Sequence, residues 1–329
     1  MDESRDPVES AADGSRDLYD IADWEERTSI DGAAVALHWL LIRGAKWIVV
    51  LIALGILVAI GGLAAISEPA VGMLTVLSVV PAAGLTTYVY YSDVTTREPL
   101  SLLVTTFLLS ILFATFAALA NTAAQQFFEP LGVIGLPLFY FLIVGPGEET
   151  VKLLAVRLYA YTDARFDAVV DGAVYGAIAG LGFATIENSL YILRQLSESG
   201  ELAELTIGIT ALTTGGDITA IRALAGPGHV IYSATAGYYL GLAKFNPENS
   251  GPIVVKGLLI AAAIHATYNS TVASGSYLIT SITGLPQIGG FLIYVVIFDA
   301  VFGFYLLRKL WRYRRTYNET DAGAVEKPA

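Results

Sequence analysis

Two of the three histidines in this chain, His229 and His265, stand in apolar surroundings, and so do Glu148, Glu149 and Glu187. At a helix centre in a bilayer such groups cost roughly 2.5–3.5 kcal/mol each on insertion scales. A membrane protein keeps few of them without a use. They fall in four segments. Glu148 and Glu149 follow Gly145-Pro146-Gly147, with FLIV before and VKLLAV after. Pro146 suits the start of a helix, so both acids fall in a first turn, where the helix dipole favours negative charge. Lys152 comes four residues after Glu148 and three after Glu149, and can pair with either along one face. The plain structural alternative is a solvated helix start at the membrane surface. Glu187, in Phe183-Ala184-Thr185-Ile186-Glu187-Asn188, has no basic neighbour until Arg194 and needs a partner on another helix. Gly226-Pro227-Gly228, a few residues after Arg222, is expected to break the backbone so that His229 opens the next helix. A capping or interfacial histidine is the alternative there. His265 and Asn269 are four apart and share a helix face; a packing hydrogen bond between them is the plain reading.

Two glutamates, two histidines, an asparagine and a lysine around one cavity suit water-dependent amide hydrolysis, in one of two ways. Carboxylates can orient and deprotonate water while imidazole and amide groups donate to the developing oxyanion. Alternatively, glutamate oxygens and histidine nitrogens hold a metal, Zn2+ or another divalent ion, that acidifies water. No His-Glu-x-x-His pair is present, which excludes a zincin-like helix, and no Gly-x-Ser-x-Gly elbow is present.

The elements that must position these groups are membrane helices. Of 329 residues, 55% are hydrophobic and 15% charged, where a soluble domain carries about 25% charged residues. Mean hydropathy is +0.61. Soluble globular domains are excluded. The absence of cysteine excludes disulfides and thiol chemistry, and the net charge of −11 speaks against nucleic acid as a partner. The expected fold is all-α, a polytopic bundle with eight spans at 47–66, 70–91, 100–120, 131–161, 168–193, 229–245, 252–273 and 287–307. The ambiguous segment 203–225 is expected as a loop with an amphipathic or re-entrant piece. With that segment not crossing, Arg43, Lys46, Arg97, Arg157, Arg165, Lys244, Lys256 and the RKLWRYRR cluster from Arg308 share one side, which places both termini in the cytoplasm. Only Arg194 and Arg222 fall outside.

Residues 1–31 hold eleven acids and three arginines. The expected organisation is therefore an acidic disordered cytoplasmic tail over 1–32, a membrane domain over 33–310 and a basic then polar tail over 311–329. The acidic start lacks the positive region of a signal peptide, so the first span is expected to be retained. The sequence pI near 4.7 also matches what high-salt organisms favour. Gly172, Gly176 and Gly180 in the fifth span, with Gly237 and Gly241 in the sixth, are expected to let helix backbones approach closely. On this topology Glu187, His229 and His265 share one depth towards the outer side, and the Gly-Pro-Gly at 145–147 must adjust Glu148 to match.

The run Glu148-Glu149-x-x-Lys152, then Phe183-x-x-x-Glu187-Asn188, then Arg222…His229 followed by GYYLGLAKF, then His265-x-x-x-Asn269, resembles the PrsW family of intramembrane proteases. That family sits in a wider group with the CaaX prenyl proteases. The resemblance covers roughly residues 75–310 and rests on the four pieces occurring in order. Relatives often have Gly after the histidine and Asp where Asn269 stands. The resemblance implies hydrolysis of a membrane-anchored protein substrate in the bilayer. It implies that Glu148 and the group at 187 activate water, and that His265 and Asn269 form an oxyanion hole. CaaX proteases carry histidine where this chain has Glu187. That leaves either a proton-sharing carboxylate pair or a metal site drawn from Glu148, Glu187, His229 and His265. Glu149 is expected to orient Lys152 or a neighbouring helix, with Arg222 and His229 in support. The sequence sets no oligomeric state. Rival readings are a proton- or ion-coupled transporter, which also uses intramembrane Glu and His, and a catalytically silent scaffold.

Overall fold

The structure is a computed structural model and describes residues 8, 15–95, 97–202, 205 and 207–325. Most of the expected acidic tail before residue 15 lies outside the described residues. So do positions 203, 204 and 206 of the expected loop, residues 326–329, and the side chains of Arg43 and Lys46. The chain divides into two units, 1–52 and 53–329.

In the first unit, helix α1 (Ser29–Ala59) begins inside the acid-rich stretch. A local cap explains its start. The Thr28 backbone N–H donates to Asp31 at 2.7 Å, and the Asp31 N–H donates back to the Thr28 hydroxyl at 3.2 Å. This reciprocal pair is a capping box.

In the second unit, Gly61 at φ +80° turns the chain into the short α2 (Gly62–Ser67). Helix α3 (Pro69–Tyr91) starts on proline at its first position, where the missing N–H costs nothing. Helix α4 (Leu100–Phe128) has 29 residues, about 43 Å of rise, enough to cross a hydrocarbon core of about 30 Å. Gly132, at φ 61° and ψ −135°, reverses the chain. The return is helical throughout: α5 (Gly135–Phe139), a π-turn over Tyr140–Val144, then α6 (Gly145–Leu158). The expected break at Gly145-Pro146-Gly147 is instead that wide turn, whose loosened hydrogen bonding accommodates a proline just after it. Helices α7 (Val169–Glu198), α8 (Ile209–Lys244), α9 (Ser250–Thr283) and α10 (Gln287–Val325) complete the unit.

Helix α8 corrects the sequence expectation twice. Residues 209–225 are helix, not loop, and the helix runs on through Gly226-Pro227-Gly228, so His229 sits inside it and does not open it. Buried membrane helices tolerate an internal proline because neighbours re-satisfy the freed backbone, and two flanking glycines leave room for the ring.

By length and composition, five helical stretches can cross a membrane: Pro69–Tyr91, Leu100–Thr162, Val169–Glu198, Pro247–Thr283 and Gln287–Thr320. Val76, Leu108, Ile282, Ile297 and Val301 stand exposed on them, as lipid contact requires. The molecule is a multi-pass membrane helix bundle. α7 is its central helix, 78% buried over its apolar window against 28–39% for the other four stretches. The expected close approach of glycines is present. A Cβ on Gly172 would lie 2.1 Å from the Gly237 carbonyl oxygen, and one on Gly180 would lie 2.5 Å from that of His229. α7 and α8 therefore touch backbone to backbone, which brings the Glu187 and His229 side chains into reach of each other.

Candidate active site

The acids, imidazoles and cations from α6, α7, α8 and α9 form one connected cluster. On α6, Glu148, Glu149 and Lys152 are all buried. Lys152 Nζ donates to Glu149 Oε1 at 2.7 Å and stands 3.9 Å from Glu148 Oε2, so the helical spacing delivers both expected pairings. Lys152 also lies 4.1 Å over the Phe183 ring and 3.0 Å from His229 Nδ1.

Glu149 faces away from open space. Besides Lys152, His265 Nδ1 lies 2.9 Å from its Oε1, and the Ser233 hydroxyl donates to its Oε2 at 3.2 Å. Glu148 is differently placed. Asn121 Nδ2 donates to its Oε1 at 3.1 Å, while its buried Oε2 has no hydrogen-bond partner among the described residues. His265 Nε2 is 3.7 Å from that oxygen. A Glu149 carboxylate beside Nδ1 holds a proton on Nδ1 and directs Nε2 at Glu148.

Glu187 finds the partners on another helix that its isolation demanded. Arg222 is ion-paired to it, and His229 Nε2 lies 3.0 Å from the same oxygen. Arg222 Nε also donates to Asn188 Oδ1 at 2.8 Å, and Asn188 Nδ2 donates to Ser78 Oγ at 2.9 Å. This ties α8 to α7 and α3. The Arg222 guanidinium lies 4.3 Å over the Tyr191 ring.

Glu148, Glu187, Arg222, His229, His265 and Asn269 all line one cavity of about 600 Å³, while Glu149 and Lys152 stand behind its wall. Asn269 faces the cavity on the His265 side of α9. The plain alternative, a packing bond between the two, is not found among the described residues, and His265 Nδ1 meets Glu149 instead. Three residues that the sequence reading passed over belong here as well: Asn121, Ser233 and Tyr232, whose ring stacks on His265 at 5.1 Å between centroids. Asn121, just past the expected third span and followed by Thr122, Gln125 and Gln126, had no clear signal, and neither had Ser233 or Tyr232.

Glu148, His229 and His265 each offer a ligand atom within 4.8 Å of the others, and the three can hold a metal ion. The donor chemistry fits: oxygen and nitrogen ligands suit zinc-like ions, and a metal-binding histidine commonly gives its second nitrogen to a carboxylate, as His265 does to Glu149. His229 would have to release Lys152 or Glu187 to take part. Glu187, also expected as a ligand, does not join that group; its Oε2 is shared by Arg222 and His229.

Buried acids and imidazoles converging on a cavity among helices of spanning length define a multi-pass membrane protein with a hydrolytic type of centre. Residues 98–302 match the family model for "PrsW family intramembrane metalloprotease", and the chain belongs to that family. It is similar to proteins named Protease PrsW from Shouchella clausii, at 27% identity over 63% of this chain and 86% of the relative, and from Geobacillus kaustophilus, at 30% identity over 58% and 76%. A third, from Clostridioides difficile, is 30% identical over 53% of this chain and 68% of its own length. No solved structure matches the chain. The protein is an intramembrane protease, a hydrolase of the membrane.

Proposed function

We propose that the cavity at Glu148 is where a peptide bond of a membrane-anchored protein is hydrolysed. The observation that carries this reading is the bare, buried Glu148 Oε2 facing His265 Nε2 at 3.7 Å. An acceptor so placed suits the general base, since Asn121 holds the other oxygen and fixes the carboxylate's orientation. Glu148 takes a proton from water as the water oxygen attacks the carbonyl carbon. It returns that proton to the leaving nitrogen as the C–N bond breaks. Asn269 is the amide donor available to the developing oxyanion. His265 is oriented by Glu149 through Nδ1, so that Nε2 points at Glu148, which suits a role as ligand beside it. Glu187 has one oxygen, Oε2, held by both Arg222 and His229, which supports a positioning role over proton sharing with Glu148. Lys152 balances the charge of the two α6 acids. Glu148, His265 and His229 would hold the metal, Zn2+ or another divalent ion, which when bound supplies Lewis acidity.

The proposed topology has eight crossings with both termini in the cytoplasm. The continuity of α8 supports residues 209–225 forming no separate crossing, an arrangement that gathers the basic residues other than Arg194 and Arg222 on one side.

Co-expression with a single-span substrate tests the site. Glu148→Gln and His265→Ala are expected to abolish release of the substrate's soluble domain. Unchanged release from both variants would refute it.

A further inference from the structure

At the opposite end of α7 from Glu187, three acids meet where the connection between α3 and α4 reaches the start of α7. Asp171 comes sixteen residues before Glu187 on that helix, roughly 24 Å along its axis. Each acid uses one carboxylate oxygen and leaves the other bare. Asp93 Oδ1 accepts from the Thr95 backbone N–H at 2.8 Å and from the Thr95 hydroxyl at 2.7 Å. Glu98 Oε2 accepts from the Tyr175 hydroxyl. Asp171 Oδ2 accepts from the backbone N–H groups of Asp167 and Ala168, both at 2.7 Å. The remaining oxygens, Asp93 Oδ2, Glu98 Oε1 and Asp171 Oδ1, are buried and have no hydrogen-bond partner among the described residues. Glu98 is 3% exposed and Asp171 0%. One ligand oxygen from each residue lies within 4.8 Å of one from each of the others.

The neighbouring cations do not pair with this charge. Lys244, whose field reaches Asp171 and Glu98, donates to the carbonyls of Tyr161 at 2.9 Å and Asp163 at 3.2 Å. Arg165 pairs with Asp163 at 2.8 Å. Three acids in this setting call for a proton or a cation.

We propose that Asp93, Glu98 and Asp171 bind a hard divalent cation of the Ca2+ or Mg2+ class, which clips the α3–α4 connection to the first turn of α7. An all-carboxylate set selects such ions over softer metals. Calcium holds its oxygens at about 2.3–2.6 Å, so ligands on opposite sides of the ion stand up to about 5 Å apart, and the observed spacing fits inside that. The Thr95, Tyr175 and α7 N-terminal donors hold the carboxylates in place, as an outer shell does around a metal. None of the three acids lines the Glu148 cavity, so the two centres are separate and differ in ligand type.

The test uses the full-length protein in detergent, with Tb3+ as an oxygen-seeking, luminescent substitute for Ca2+, sensitised by tyrosines such as Tyr175. Saturable emission displaced by Ca2+ is expected, together with a Ca2+-dependent rise in Tm. Asp93→Asn and Glu98→Gln should each weaken Tb3+ binding about tenfold or more, whereas Glu148→Gln/His265→Ala should leave it unchanged. Should Glu98→Gln fail to fold, Asp93→Asn, in the half-buried connection, carries the test. Emission that persists unchanged in Asp93→Asn overturns the proposal. So does a Tm indifferent to Ca2+ with no Tb3+ emission, which would mean that the acids share a proton instead.

Discussion

Glu148 and Glu149 are adjacent in the chain but point about 100° apart around α6, and that angle separates their roles. Glu149 is saturated by Lys152, His265 and Ser233, whereas Glu148 keeps a bare oxygen at the cavity. Their substitutions should fail differently. Glu148→Gln keeps the shape and the Asn121 contact, so the fold should survive while cleavage falls by about 10²–10⁴-fold, the usual worth of a general base. Glu149→Ala leaves the buried Lys152 charge without its closest acid, with only the 3.9 Å approach to Glu148 remaining, and takes away the partner of His265 Nδ1. Thermal unfolding in detergent should show a loss of about 3–5 kcal/mol, as for other broken buried pairs, with activity falling alongside. If Glu149→Ala is as stable as the wild type, the wall behind the cavity has been misread. At this scale the residues that cluster were legible in the sequence, because Glu, His and Lys in apolar helices have few uses. Which carboxylate faces the cavity came from the family resemblance and not from the spacing of the residues, since it depends on the rotation of α6 after the π-turn.

At the scale of elements, the α7–α8 contact places Glu187 against His229. Gly180→Ala drives a Cβ into the His229 carbonyl oxygen at 2.5 Å, so the helices must part and both stability and cleavage should drop. Gly84→Ala in α3 meets nothing within 4 Å and should be neutral or stabilising by up to about 1 kcal/mol from helix propensity. Equal Tm values for the two variants would count against the close packing. The glycine spacing announced this contact in the sequence. The continuity of α8 was hidden, because Gly226-Pro227-Gly228 is locally a chain breaker and only packing against α3, α7 and α9 keeps it helical. Asn188 likewise read only as a neighbour of Glu187, yet it links Ser78 and Arg222 across three helices.

For the whole molecule, hydropathy and charge bias made the all-α membrane bundle legible, while the high-salt reading rests on composition alone. The absence of cysteine makes topology easy to measure. Single cysteines at Ser199 and Arg314 should react with an impermeant maleimide from opposite sides of the membrane, Arg314→Cys from the cytoplasm. Labelling of both from one side would overturn the eight-crossing arrangement. Metal dependence belongs at this scale too. Mass spectrometry of the purified protein should find a divalent transition metal that Glu148→Gln/His265→Ala lacks, and chelation should remove activity. Activity that persists in metal-free protein would leave hydrolysis to the carboxylates and imidazoles alone.

The central claim is that Glu148 and His265 act together on one reaction at one cavity, and a mutant cycle in proteoliposomes tests it most directly. The rates of cleavage of a single-span substrate would be compared for wild type, Glu148→Gln, His265→Ala and the double variant. Groups that act as a unit are strongly non-additive, so each single substitution should cost nearly as much as both. Fully additive losses, or a wild-type rate in either single variant, would contradict the account.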